Sequence, residues 1–339
     1  MASFDGAERR QLGTFGAVIA GLHVLGWGLI AFYAPGHPVL VGLAVLAYSF
    51  GLRHAFDADH ISAIDNTTRK LLAEGERPLG IGFWFSLGHS TIVFGLSLAL
   101  AVTAGAVHHA LPALAHYGGV LGAGISGLFL WAIGLLNLVV LIGIVKIALA
   151  RRSGGLDEAE LEKRLAERGL MSRLCGRRFA LISSSRQMYP VGLLFGLGFD
   201  TATEVGLLTI TAGIASGLPA PATAALPILF AAGMCAMDTA DGIFMSTAYR
   251  WALASSARKL YYNLGVTGLS VLVALAVGTV ELLQVLAHEL GLGGGVWALL
   301  GALNFTNMGY AIVGLFAIGW LGALAVWRLT RARPVPTSG

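Results

Sequence analysis

Residues 38–68 read PVLVGLAVLAYSFGLRHAFDADHISAIDNTT, an uncharged run up to Leu52 that passes directly into Arg53, His54, Asp57, Asp59 and His60. The segment exceeds the roughly 20 residues that carry a helix across a bilayer. It has neither the strict apolar–polar alternation of a strand nor the one-sided stripe of a soluble amphipathic helix. It reads as a membrane span with an ionisable cluster near its middle.

Seven comparable spans surround it, at about 14–34, 79–106, 118–150, 188–216, 223–250, 263–287 and 297–328. Of the 339 residues, 56% are hydrophobic and 12% charged, about half the roughly 25% of soluble domains. A water-soluble globule, a disordered chain and a coiled coil are thereby excluded. The expected fold is all-α: a polytopic integral membrane protein with eight transmembrane helices.

Basic residues orient it. Lys and Arg are absent between spans one and two, three and four, five and six, and seven and eight. They collect instead in the remaining loops (Arg69, Lys70 and Arg77; Arg151 to Arg186; Arg250, Arg258 and Lys259) and in the tail at Arg328, Arg331 and Arg333. The positive-inside rule then places both termini in the cytoplasm, in a multi-pass protein of the cytoplasmic (inner) membrane. The net charge of +4 therefore points to no nucleic-acid partner. The charged segment 151–187 reads as a solvated linker between a four-helix N-terminal half, 1–150, and a C-terminal half, 188–339, that ends in a short cytoplasmic tail. Cys175 and Cys235 fit no disulfide framework and no zinc spacing.

Ionisable groups inside a membrane cost several kcal/mol each and are functional by default. Span two carries Arg53, His54, Asp57, Asp59 and His60; span three, His89; span five, Asp200 and Glu204; span six, Asp238 and Asp241. All lie near the midpoints of their spans, at nearly one depth. On a regular helix His54, Asp57 and His60 follow one another at roughly 60° and form one stripe, whereas Asp59 falls roughly 140° from His54. Asp59 reaches the same site only where the helix unwinds, with Gly51 the nearest candidate. Imidazole and carboxylate together suit a divalent transition metal, Ni²⁺, Co²⁺, Fe²⁺, Mn²⁺ or Zn²⁺, rather than Mg²⁺ or Ca²⁺. Arg53 reads as a counter-ion and Met234 and Met237 as packing residues. Asp65 and Asn66 read as a solvated helix end more readily than as part of an exit path.

These segments resemble a known family. RHAFDADHI (53–61) is similar to the His-x4-Asp-His motif in the second membrane helix of the nickel/cobalt transporter (NiCoT) family, and SLGHST (86–91), LGFDTATE (197–204) and GMCAMDTADG (233–242) look like its other blocks. The resemblance covers essentially the whole chain. It implies that His54, Asp57, Asp59 and His60 are the principal metal-handling residues, and that Asp200, Glu204, Asp238 and Asp241 matter for transport. Arg53 and His89 stand with these last as pathway or supporting groups. Including Asp59 implies a local distortion of span two.

The expected function is a permease importing Ni²⁺ and/or Co²⁺ as substrate, with no catalytic residue and no cofactor. The chain has no Gly-Lys dipeptide and hence no P-loop for ATP. The rival readings are an intramembrane metal-dependent enzyme and the membrane subunit of an ATP-driven importer. Ligand chemistry leaves nickel versus cobalt open.

Overall fold

The structure, a computed structural model, describes residues 4–103, 111–152, 182–197, 218–252, 256–305 and 307–318. Within them the regular structure is entirely helical. The helices are α1 (Gly6–Tyr33), α2 (Val39–His54), α3 (Ala58–Ala73), α4 (Ile81–Thr103), α5 (Leu111–Arg152), α6 (Met188–Gly196), α7 (Ala220–Ala252), α8 (Ser256–Glu289), α9 (Gly295–Gly301) and α10 (Asn307–Ile318).

Helices α1, α4, α5, α7 and α8 each contain a segment long and apolar enough to cross a membrane. Helices α2 and α3 together make a sixth candidate crossing, bent by 47°. Of the fifth expected span only α6 is described, and of the eighth only α9 and α10. Most of the linker 151–187 lies outside the described residues.

Helix α7 packs against α1, α2, α3 and α4, so its polar middle is surrounded on several sides. Helix α8 lies along α5 and touches α3, while α6 packs on α4. At the α1–α2–α7 contact, Ile30, Leu40, Ala44, Ala47, Leu226 and Leu229 form a buried apolar cluster. Small residues allow these close crossings, as in membrane bundles generally. Gly51 does so where α2 crosses α7: a Cβ there would lie 2.0 Å from the Phe230 carbonyl oxygen.

The distortion of span two is present, one turn beyond Gly51. The last turn of α2 tightens, with the amides of Phe56 and Asp57 donating to the carbonyls of Arg53 and His54 at 2.9 Å each. Asp57 then turns extended (φ −65°, ψ 143°), and α3 restarts at Ala58. Neither proline nor glycine occupies 55–57. The position is held by tertiary contact: Gly309 of α10 sits against the Phe56 carbonyl so closely that a Cβ there would come within 1.5 Å of its oxygen.

One expectation fails outright. Asp65 and Asn66 are fully buried, and Arg69 and Lys70 beyond them are buried as well. Asp65 accepts from Arg69 Nε at 3.1 Å and from the hydroxyls of Tyr249 on α7 and Ser270 on α8. The Arg69 guanidinium also lies 3.9 Å from the Tyr249 ring centre. Asn137 on α5 donates to the Asn66 side chain at 2.9 Å and to its carbonyl at 3.1 Å. The end of α3 is thus a packed polar junction of four helices. Hydropathy could not reveal this, because partners for those groups come from α5, α7 and α8.

Candidate metal site

The break delivers three imidazoles to one point. His54 ends α2, His60 occupies the first turn of α3, and His89 comes from the middle of α4. Their ring centres are 4.6 Å (His54–His60), 5.0 Å (His54–His89) and 4.9 Å (His60–His89) apart. One ring nitrogen from each lies within 4.8 Å of the other two. His54 Nε2 and His89 Nε2 are 3.3 Å apart, one donating to the other according to tautomer.

Carboxylates orient two of these rings from behind. His54 Nδ1 lies 2.8 Å from Asp57 Oδ2, and His60 Nδ1 lies 3.2 Å from Asp238 Oδ2 on α7. The latter pair is completely buried, and His60 Nε2 has no hydrogen-bond partner. Metal-binding imidazoles are typically held in this way: one nitrogen on a carboxylate, the other presented to the ion. Phe230 and Phe85 pack on the His54 and His60 rings, at 5.7 Å and 4.8 Å between centres, and form an apolar wall.

The carbonyl end of α2 also points into the break, and a helix C-terminus carries partial negative charge that favours a cation. Discontinuous helices place such ends at ion sites in many transporters. Three imidazoles within reach of one point, backed by carboxylates and that dipole, can bind and release a borderline divalent cation.

The arrangement redistributes the expected roles. His89, grouped from sequence with the pathway residues, stands beside His54 and His60. Asp57 and Asp238 each hold an imidazole. Asp59 accepts from the His60 backbone amide at 2.9 Å. Arg53 is exposed and lies 5.2 Å from the Phe50 ring centre. Asp241 follows Asp238 one turn along α7, with its Oδ2 buried and without a hydrogen-bond partner. Asp200 and Glu204 lie outside the described residues. Met234 and Met237 pack around Phe230 and Ala55, in keeping with a packing role.

The sequence is similar throughout to known proteins. The family model for the high-affinity nickel-transport protein, NicO, matches residues 40–326. The chain belongs to the NicO family. It is 50% identical to the nickel transporter NicT of Mycobacterium tuberculosis, over 96% of this chain and 91% of the relative. It is 45% identical to the nickel transporter NixA of Staphylococcus aureus, over 93% and 94%. It is also 44% identical to the cobalt transport protein NhlF of Rhodococcus rhodochrous, over 94% and 92%. No solved structure matches it.

Two intramembrane ionisable residues of this NicO chain escaped the sequence reading. Glu281 on α8 is 5% exposed, accepts from Ser126 of α5 at 2.9 Å, and lies within electrostatic reach of Asp59. Its signal was plain: the lone acid inside the apolar span 263–287. His23 on α1 is structural, with Nδ1 on the Ile19 carbonyl at 2.8 Å and Nε2 on the Tyr48 hydroxyl at 3.2 Å.

Asp57→Asn tests the backing of His54. The amide keeps the shape but removes the charge that orients the imidazole, so Co²⁺ affinity of the purified protein should fall ~10–100-fold, the usual cost of losing an orienting carboxylate. Unchanged affinity in equilibrium dialysis would show that Asp57 does not hold the ring for metal.

Proposed function

We propose that this NicO protein is a secondary transporter that imports Ni²⁺ and/or Co²⁺ across the cytoplasmic membrane, binding the ion at His54, His60 and His89. The observation that carries the reading is the meeting of these imidazoles at a helix break. Its support includes the names of the relatives, nickel transporters in two cases and a cobalt transporter in a third. Asp57 and Asp238 orient the ring nitrogens, Asp59 supports the site, and Asp200, Glu204 and Asp241 belong to the pathway. The eight-span topology with cytoplasmic termini, drawn from the loop charges, makes α3 and α7 run side by side toward the cytoplasm.

The ion sheds water at the outer side, exchanges it for imidazole nitrogen at the break, and leaves inward. No nucleotide is needed. At ~2.3 kcal/mol per charge per 100 mV, a divalent cation gains about 4.6 kcal/mol on moving inward, enough for roughly thousandfold accumulation.

Purified protein in liposomes with an imposed inside-negative potential tests this. Trace labelled Ni²⁺ or Co²⁺ should accumulate, and dissipating the potential should abolish the accumulation. Metal binding without uptake would indicate a missing partner or an intramembrane metalloenzyme instead.

A further inference from the structure

Below the imidazoles, α3 and α7 run in contact with buried oxygen atoms that have no partner. On α3 these include the hydroxyls of Ser62, Thr67 and Thr68; on α7 they include Thr239 Oγ1, Asp241 Oδ2 and Ser246 Oγ. Asp238, fully buried, turns Oδ2 to His60 and leaves Oδ1 without a partner. Unsatisfied buried polar atoms are uncommon in native structures, and Asp238 Oδ1 and Asp241 Oδ2, one turn apart on the helix that packs against α3, call for a partner.

The acids form steps along these two helices. Asp241 lies one turn, ~4.5 Å of helix rise, beyond Asp238, and Asp65 lies ~7.5 Å of rise beyond His60. The two helices are in register here: a Cβ at Gly242 would sit 3.7 Å from Ile64 and 3.0 Å from the Gly82 amide of α4. Asp241 is within electrostatic reach of both Asp238 and Asp65. Asp65 now holds Arg69, one turn further along α3, together with the hydroxyls of Tyr249 and Ser270.

We propose that Asp241 and Asp65 form a second, all-oxygen station for a divalent cation, on the inner side of the imidazole triad, with Arg69 holding Asp65 until the ion arrives. This rests on the transport reading above and gives its release step a location. Oxygen donors bind Ni²⁺ or Co²⁺ more weakly than imidazole and leave room for water. The step is a ligand exchange: nitrogen donors are replaced by carboxylate and water oxygens, and the guanidinium swings from Asp65 as the ion takes its place.

Co²⁺ is the probe. In Asp241→Asn and in Asp65→Asn, one equivalent of Co²⁺ should still bind with the absorption spectrum of imidazole coordination, while uptake into liposomes slows at least tenfold. The double variant should be no slower than either single one. Arg69→Gln should bind a second equivalent with a weak oxygen-donor spectrum, lost again when Asp241→Asn is added. Should Asp65→Asn fail to fold, Asp241→Asn carries the test, since its Oδ2 makes no structural bond. Uptake at the wild-type rate in Asp241→Asn, or a second equivalent in Arg69→Gln that survives Asp241→Asn, overturns the station. A second equivalent with no uptake even by wild type would sink the transport reading and leave the station standing.

Discussion

His89→Ala is expected to abolish high-affinity Co²⁺ and Ni²⁺ binding and uptake while leaving the fold intact. The ring contributes one of three nitrogens within 4.8 Å; its Nε2 makes a 3.3 Å contact with His54, and its Nδ1 has no hydrogen-bond partner among the described residues. Its removal therefore costs the site a ligand without stranding a charge. Losing a ligand should exceed the ~10–100-fold typical of losing its support. His60→Ala should lose binding too, but with a second signature. It strips Asp238 of its partner, and breaking a buried pair costs about 3–5 kcal/mol. Thermal stability should fall in His60→Ala and hold in His89→Ala. The pair of variants thus separates a ligand from a ligand that is also a structural partner. Isothermal titration with Co²⁺ beside a melting curve reads both. Wild-type affinity in His89→Ala would remove α4 from the site.

The other large effect belongs to a residue with no polar atom in its side chain. Gly309→Val should reduce uptake below a tenth of wild type and lower stability by about 3 kcal/mol, the upper end of ordinary overpacking. The added carbons would meet the Phe56 carbonyl, which is backbone and cannot swing aside. Either α10 withdraws or the segment 55–57 shifts, and His54 and His60 hang from its two ends. Gly314→Val is the control on the same helix, since nothing lies within 4 Å of a Cβ there. Equal behaviour of the two variants in melting and uptake assays would show that α10 does not hold the break.

Several features were legible in the chain alone because they depend on composition and local spacing. Apolar runs interrupted by ionisable residues dictate membrane helices, since backbone polar groups have no other way to be satisfied in lipid. The cost of charge in a bilayer singles out His54, Asp57, His60, His89, Asp238 and Asp241 without any structure. The motif order pointed to the family.

Other features were decided only when helices far apart in sequence met. Whether a histidine is a ligand or a support depends on what stands behind its second nitrogen, and Asp238 reaches His60 across 178 residues. Asp65 looked like a solvated end because its partners Tyr249 and Ser270 lie 184 and 205 residues further along the chain. The break at 55–57 has no sequence signature of its own: it contains no proline or glycine, and the contact that holds it is made by Gly309. Local sequence therefore determined which groups enter the membrane. Tertiary packing decided which face one another, because hydrogen bonds and close backbone contacts are short-ranged in space and indifferent to distance along the chain.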